Sequence, residues 1–191
     1  MERIHVFGLD CMLRLNLPIS GKAVDAIRNV CLALVADAGE PLYLYVLRVA
    51  LVNVVLSCLL AAFVQLCRMD LSDPPFSATY SPLRKAVTAF LILIISPIVE
   101  TYIMVRLIRL AGLIFDGRLI GSIVSAIVFA MLHSMLRPAW GIVVFPAFLS
   151  MSFSYFTLAN RFGGKKAFLS VAAMHSLQNV PGAISFAFSG V

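Results

Sequence analysis

The sequence predicts an all-α protein: a multi-pass transmembrane helix bundle of about five spans, preceded by an amphipathic N-terminal helix. Three observations carry that expectation. The chain is 61% hydrophobic and only 13% charged, whereas soluble domains are about 45–50% apolar and about a quarter charged. Its mean hydropathy is +0.99. Its apolar residues fall in long runs, and about 20 such residues in a helix cross a bilayer core of about 30 Å.

Residues 1–40 form a segment of their own. Val24, Ile27, Cys31 and Leu34 recur at helical spacing. Asp25, Arg28 and Asp37 lie off that face, so the segment is expected to lie at the membrane interface. The charges Lys22, Asp25, Arg28 and Asp37 argue against a further span here. Glu2, Arg3, Asp10 and Arg14 interrupt the first twenty residues, so a cleavable signal is not expected.

Residues 41–191 are read as the membrane bundle. The first run is 41–66, broken only by Arg48. Residues 68–83 contain Pro74, Pro75 and Pro82 with Asp70 and Asp73, a loop signature. The second run, 86–112, carries Glu100, Arg106 and Arg109. Asp116, Gly117 and Arg118 form a turn before the third run, 119–136. Arg137 and Pro138 precede the fourth, 140–160, and Arg161–Lys166 precede the fifth, 167–190. No internal repeat or low-complexity segment is visible.

The net charge is +6 and the pI is about 9.5. Arg84, Lys85, Arg118, Arg161, Lys165 and Lys166 all flank apolar runs. That is the placement of snorkelling anchors and topology signals, so the expected partner is the lipid bilayer and not nucleic acid. The balance of Lys and Arg between the two sides places the N-terminus in the cytoplasm, in a plasma (inner) membrane. The four cysteines, Cys11, Cys31, Cys58 and Cys67, contain no CxxC and are read as small buried hydrophobes.

An ionisable group at bilayer depth costs several kcal/mol unless it faces the bundle interior or water. Glu100, His133 and His175 are such groups, and Asn179 follows His175 by four residues on the same helical face. Phe129 and His133 share that spacing. Pro97 breaks the helix one turn before Glu100, and such breaks are tolerated where they face protein or a wet cavity. Taken singly, each has a structural account: a His can bond a carbonyl, Asn179 can join helices, and Glu100 can pair with Arg106 or Arg109. Interhelical polar contacts return only about 1 kcal/mol each, so four such groups on three spans point to one shared cavity.

A carboxylate with imidazoles can activate water, the Glu acting as general base and a His positioning the water or protonating the leaving amine. An Asn amide and a second His can donate to an oxyanion. The same side chains could instead hold a divalent metal such as zinc, through Glu100, His133 and His175. They lack the thiolates and paired carboxylates of tight metal sites, and the pattern leaves open both a metal-dependent and a metal-free reading.

Over roughly residues 85–185 these motifs resemble the CAAX protease and bacteriocin-processing (CPBP or Abi) family of intramembrane peptidases. Phe129-Ala-Met-Leu-His133 matches its Phe-x-x-x-His motif, and His175-Ser-Leu-Gln-Asn179 its His-x-x-x-Asn/Asp motif. Glu100 matches the first glutamate of its Glu-Glu-x-x-x-Arg motif. Thr101 stands where the second Glu is usual, Val105 at the arginine position, and Arg106 one residue late. The resemblance implies an intramembrane endopeptidase acting on a membrane-anchored or lipidated peptide or protein. It implies Glu100 as general base, His133 assisting it, and His175 with Asn179 at the oxyanion. Thr101, Arg106 and Phe129 are supporting positions, and Arg106 reaches the site if the helix is overwound or broken near Pro97. The altered first motif leaves a non-enzymatic immunity or scaffold protein as the alternative, with a proton-coupled carrier behind it.

Overall fold

The computed structural model describes residues 40–69, 71, 80–114 and 118–188. The expected interfacial helix within residues 1–40, with His5, Cys11 and Cys31, lies outside the described residues, as does most of the 70–79 loop. Among the described residues the structure is all-helical. Helix α1 is Leu42–Leu66, α2 is Pro82–Ile114, α3 is Arg118–Leu136, α4 is Pro138–Phe162 and α5 is Gly164–Phe188.

Helices α1, α2 and α4 are long and apolar enough to cross a membrane. The apolar helix Ile120–Leu136 within α3 is shorter. Helix α5 has 25 residues, about 37 Å at 1.5 Å per residue, but Lys165, Lys166, His175, Gln178 and Asn179 dilute its apolar character. Length and composition therefore single out three of the five expected spans.

The helix ends follow from local chemistry. The Ser81 hydroxyl accepts from the Arg84 amide at 3.4 Å, and Pro82 occupies the first helical turn, where its missing N–H costs nothing. Helix α2 thus starts inside the stretch expected to be loop and takes in Arg84 and Lys85. Arg137, in extended conformation, is the single residue between α3 and α4, with Pro138 opening α4. Gly163 alone separates α4 from α5 at φ +82°, a conformation in which a side chain is strained. Lys165 and Lys166 lie inside α5 rather than in the expected linker.

Helix α4 lies at the centre and touches each of the other four helices. Its Phe148, Met151 and Leu158 pack with Tyr45, Met104 and Phe129 in the core. Helices α3 and α4 approach closely at Gly141, where a Cβ would overlap the Ser134 hydroxyl and the Ala130 carbonyl oxygen. Such small-residue contacts let backbones approach where lipid supplies no hydrophobic drive. Leu51, Leu59, Leu66 and Leu113 point outward and are exposed, as suits a lipid-facing surface. Cys58 on α1 and Cys67 just past its end are exposed free thiols, not the buried positions expected for them. On a helix face that meets lipid, a thiol is as well accommodated as in a core.

Arg161, at the end of α4, donates to the Glu40 carbonyl at 3.2 Å. Glu40, two residues before α1 begins, also pairs with Arg48 at 2.5 Å. The start of α1 and the end of α4 therefore share one end of the bundle, as an up-and-down helix order requires.

Candidate active site

Helix α2 is not regular. Leu91–Ile95 form a π-helical turn, in which the Ser96 amide bonds the Leu91 carbonyl. The α-helix then resumes over Ser96–Ile114. Proline at position 97 cannot donate to the turn before it, and π turns recur at functional sites.

One turn later stands Glu100. The Ser96 hydroxyl donates to its Oε1. Its Oε2 is buried, has no hydrogen-bond partner, and lies 3.6 Å from His175 Nε2 on α5. That separation is just beyond a hydrogen bond, and a water seated beside the two atoms can touch both. His175 is itself 5% exposed, while the Glu100 side chain is half-buried, with Oε2 on its covered side.

His133 Nδ1 lies 2.8 Å from the Phe129 carbonyl oxygen. A carbonyl can only accept, so Nδ1 carries a proton, and the tautomer that this contact selects has its lone pair on Nε2. Phe148 of α4 joins the two imidazoles. It stacks on Phe129 at 4.2 Å between centroids, meets His133 at 5.6 Å, and presents to His175 edge to face at 5.2 Å. Phe129 and Phe148 are both buried and form the apolar wall of the site. Asn179 Nδ2 donates to the Ile92 carbonyl in the π turn at 3.0 Å.

The structure thus brings Glu100 and His175 together, connects His133 to them through Phe148, and sets Asn179 against the backbone of α2. Thr101 is buried, with its hydroxyl unpartnered. Arg106 is not part of the group. Its Nε and Nη2 bond the Tyr102 hydroxyl at 3.1 and 2.8 Å on an exposed face. The break in α2 lies before Glu100, so both residues belong to the regular stretch. Six residues then place Arg106 about 240° further round the helix, facing away. Val105, at the motif's arginine position, is buried in the core instead. Arg109 reaches the Tyr155 hydroxyl at 3.4 Å.

Glu100, His133 and His175 are the three side chains that the sequence offers as ligands to a metal. Among the described residues, no three His, Cys, Asp or Glu side chains gather closely enough to hold an ion. Comparison with family models, with curated proteins and with solved structures returned no match.

A second polar region was not anticipated from the sequence. The Ser150 hydroxyl donates to Asn53 Oδ1 at 2.6 Å. Gln178 Nε2 donates to the Ser57 hydroxyl at 3.3 Å, which itself lies 3.5 Å from the Val143 carbonyl. Asn53 and Ser57 stand four residues apart on α1, the spacing that could have revealed a shared face.

Proposed function

We propose that the protein is a multi-pass membrane protein of five spans that hydrolyses a peptide bond in a membrane-anchored or lipidated substrate. The observation carrying this reading is the approach of Glu100 Oε2 to His175 Nε2, with that oxygen buried and otherwise unpartnered. A structural carboxylate would be expected to spend both oxygens on hydrogen bonds, since a buried unpaired charge is costly. This one keeps an oxygen open beside an imidazole.

The proposed reaction needs only these groups and water. Glu100 takes a proton from a water beside the pair, and the water oxygen adds to the scissile carbonyl carbon. The negative charge that develops on the carbonyl oxygen is met by a proton on His175 Nε2, a contribution of about 3–4 kcal/mol in a site shielded from water. As the C–N bond breaks, Glu100 returns its proton to the leaving amine. Phe129 and Phe148 exclude bulk water, and His133 presents its open Nε2 as an acceptor for substrate or water.

The likeness of the Phe129/His133 and His175/Asn179 motifs to the CAAX protease family supports the same class of chemistry. On this reading the spans lie in the plasma (inner) membrane. The N-terminus faces the cytoplasm, together with Arg161, Lys165 and Lys166. In detergent or nanodiscs, wild type should cleave members of a lipidated-peptide library and Glu100→Ala should not; equal cleavage by the two removes this mechanism.

One observation favours a second reading, a non-enzymatic immunity or scaffold protein. Thr101 replaces the family's second carboxylate, and Arg106 faces away from the site. Cellular complementation by Glu100→Ala would support that reading, and loss of function would count against it.

A further inference from the structure

The π turn in α2 and the side chain of Asn179 fit together in a way the hydrolytic scheme does not use. In the π turn the Ser96 amide is taken by the Leu91 carbonyl. The next amide in that register would serve the Ile92 carbonyl, but position 97 is proline and has none. The Ile92 carbonyl is therefore left without its backbone donor at bilayer depth, where such a group is expensive. Asn179 Nδ2, from α5, donates to this carbonyl at 3.0 Å.

We propose that Asn179 is a positioning residue: it replaces the donor that Pro97 lacks, holds the π turn, and so aims Glu100 at His175. A π turn inserts one residue, which rotates everything after it by about 100° relative to a regular helix. The direction of Glu100 thus depends on the turn persisting. Asn179 and His175 lie one turn apart on the same face of α5. One face of α5 therefore fixes the backbone of α2 before Pro97 and meets the carboxylate after it. This assignment rests on the proposed hydrolysis only for its activity readout; the backbone contact is tested without substrate.

The test uses Pro97→Ala, which restores an amide at the position the π register directs toward Ile92. Asn179→Leu keeps the approximate shape and removes the donor. Thermal unfolding of the full-length protein in one detergent is measured for wild type, both single variants and the double variant. Asn179→Leu lowers the Tm by several degrees in the wild-type background and by much less beside Pro97→Ala. An equal loss in both backgrounds overturns the proposal. If Asn179→Leu folds only beside Pro97→Ala, the proposal stands; if it folds in neither, it falls. On a cleaved peptide, Asn179→Leu lowers kcat about 100-fold, the scale of an ångström misplacement, with KM unchanged. Pro97→Ala restores most of that loss. A kcat that stays low in the double variant means that Asn179 meets the reacting carbonyl itself, against the positioning role. Should wild type cleave nothing, the hydrolysis reading fails while the unfolding comparison still decides the backbone contact.

Discussion

Two polar regions lie between the helices of this bundle, each anchored on one buried side chain, Asn53 or His175, and they are built differently. Between α1, α4 and α5, Asn53, Ser57, Ser150 and Gln178 form a seam of neutral groups. Between α2 and α5, Glu100 and His175 form a pair of ionisable groups, with Ser96 occupying one carboxylate oxygen and the other left open. The seam also leaves atoms unpartnered, Asn53 Nδ2 and Gln178 Oε1, but these belong to neutral amides. An unmet neutral group costs about 1–3 kcal/mol, and an unmet charge costs more. A helix bundle can use the first kind of region as interhelical glue, with each contact worth about 1 kcal/mol. The second kind is a poor way to join helices and a good way to hold a reactive water.

That contrast is sharpened most strongly by a double variant. If Glu100 and His175 act as a unit, either Glu100→Gln or His175→Ala lowers kcat by about 10²–10⁴-fold. The double variant then loses little more than the worse single one, because paired catalytic groups are strongly non-additive. Full additivity in steady-state kinetics would mean that the two residues work separately. A structural effect of comparable severity is expected at Gly141, where a Cβ would overlap Ser134 and Ala130. Gly141→Ala should cost about 1–3 kcal/mol by overpacking, read as a lowered Tm. Unchanged stability would mean that α3 and α4 are further apart than described.

The seam should respond in the opposite sense to the pair. Asn53→Ala removes the nearer of the two acceptors of Ser150, leaving the Ala147 carbonyl, and should destabilise by about 1 kcal/mol, while cleavage per folded molecule stays at the wild-type level. Loss of activity without loss of stability would place the seam in the reaction. The smallest effect is expected at Arg106, whose guanidinium rests on Tyr102 at the surface. Arg106→Gln should change stability by less than about 0.5 kcal/mol and leave cleavage intact. A large loss of activity would return Arg106 to the site.

The positions of the helices were largely legible because membrane insertion imposes a length and polarity rule on the chain. The expected run 119–136 and the observed Arg118–Leu136 differ by one residue at the start. The approach of Glu100 to His175 was legible for the same reason, since groups costly to bury are driven to share partners. The π turn was not legible. Leu91–Ile95 is uniformly apolar, so an extra residue there leaves no mark on the hydropathy pattern. The outward turn of Arg106 could have been read from helical geometry once Glu100 and Arg106 were known to lie in one regular segment. Asn53 and Ser57 are small neutral side chains that barely interrupt an apolar run, so their spacing is the only mark they leave of a shared face. The role of Phe148 in joining His133 to His175 belongs to tertiary packing, which periodicity along one helix does not reveal.

The most direct measurement replaces Glu100 by Gln and follows two quantities on the same nanodisc preparation. Cleavage of a membrane-anchored peptide should fall by about 10²–10⁴-fold, while the Tm should hold or rise, since a half-buried carboxylate gives way to a neutral amide of the same shape. Cleavage retained by Glu100→Gln at the wild-type rate would contradict the account.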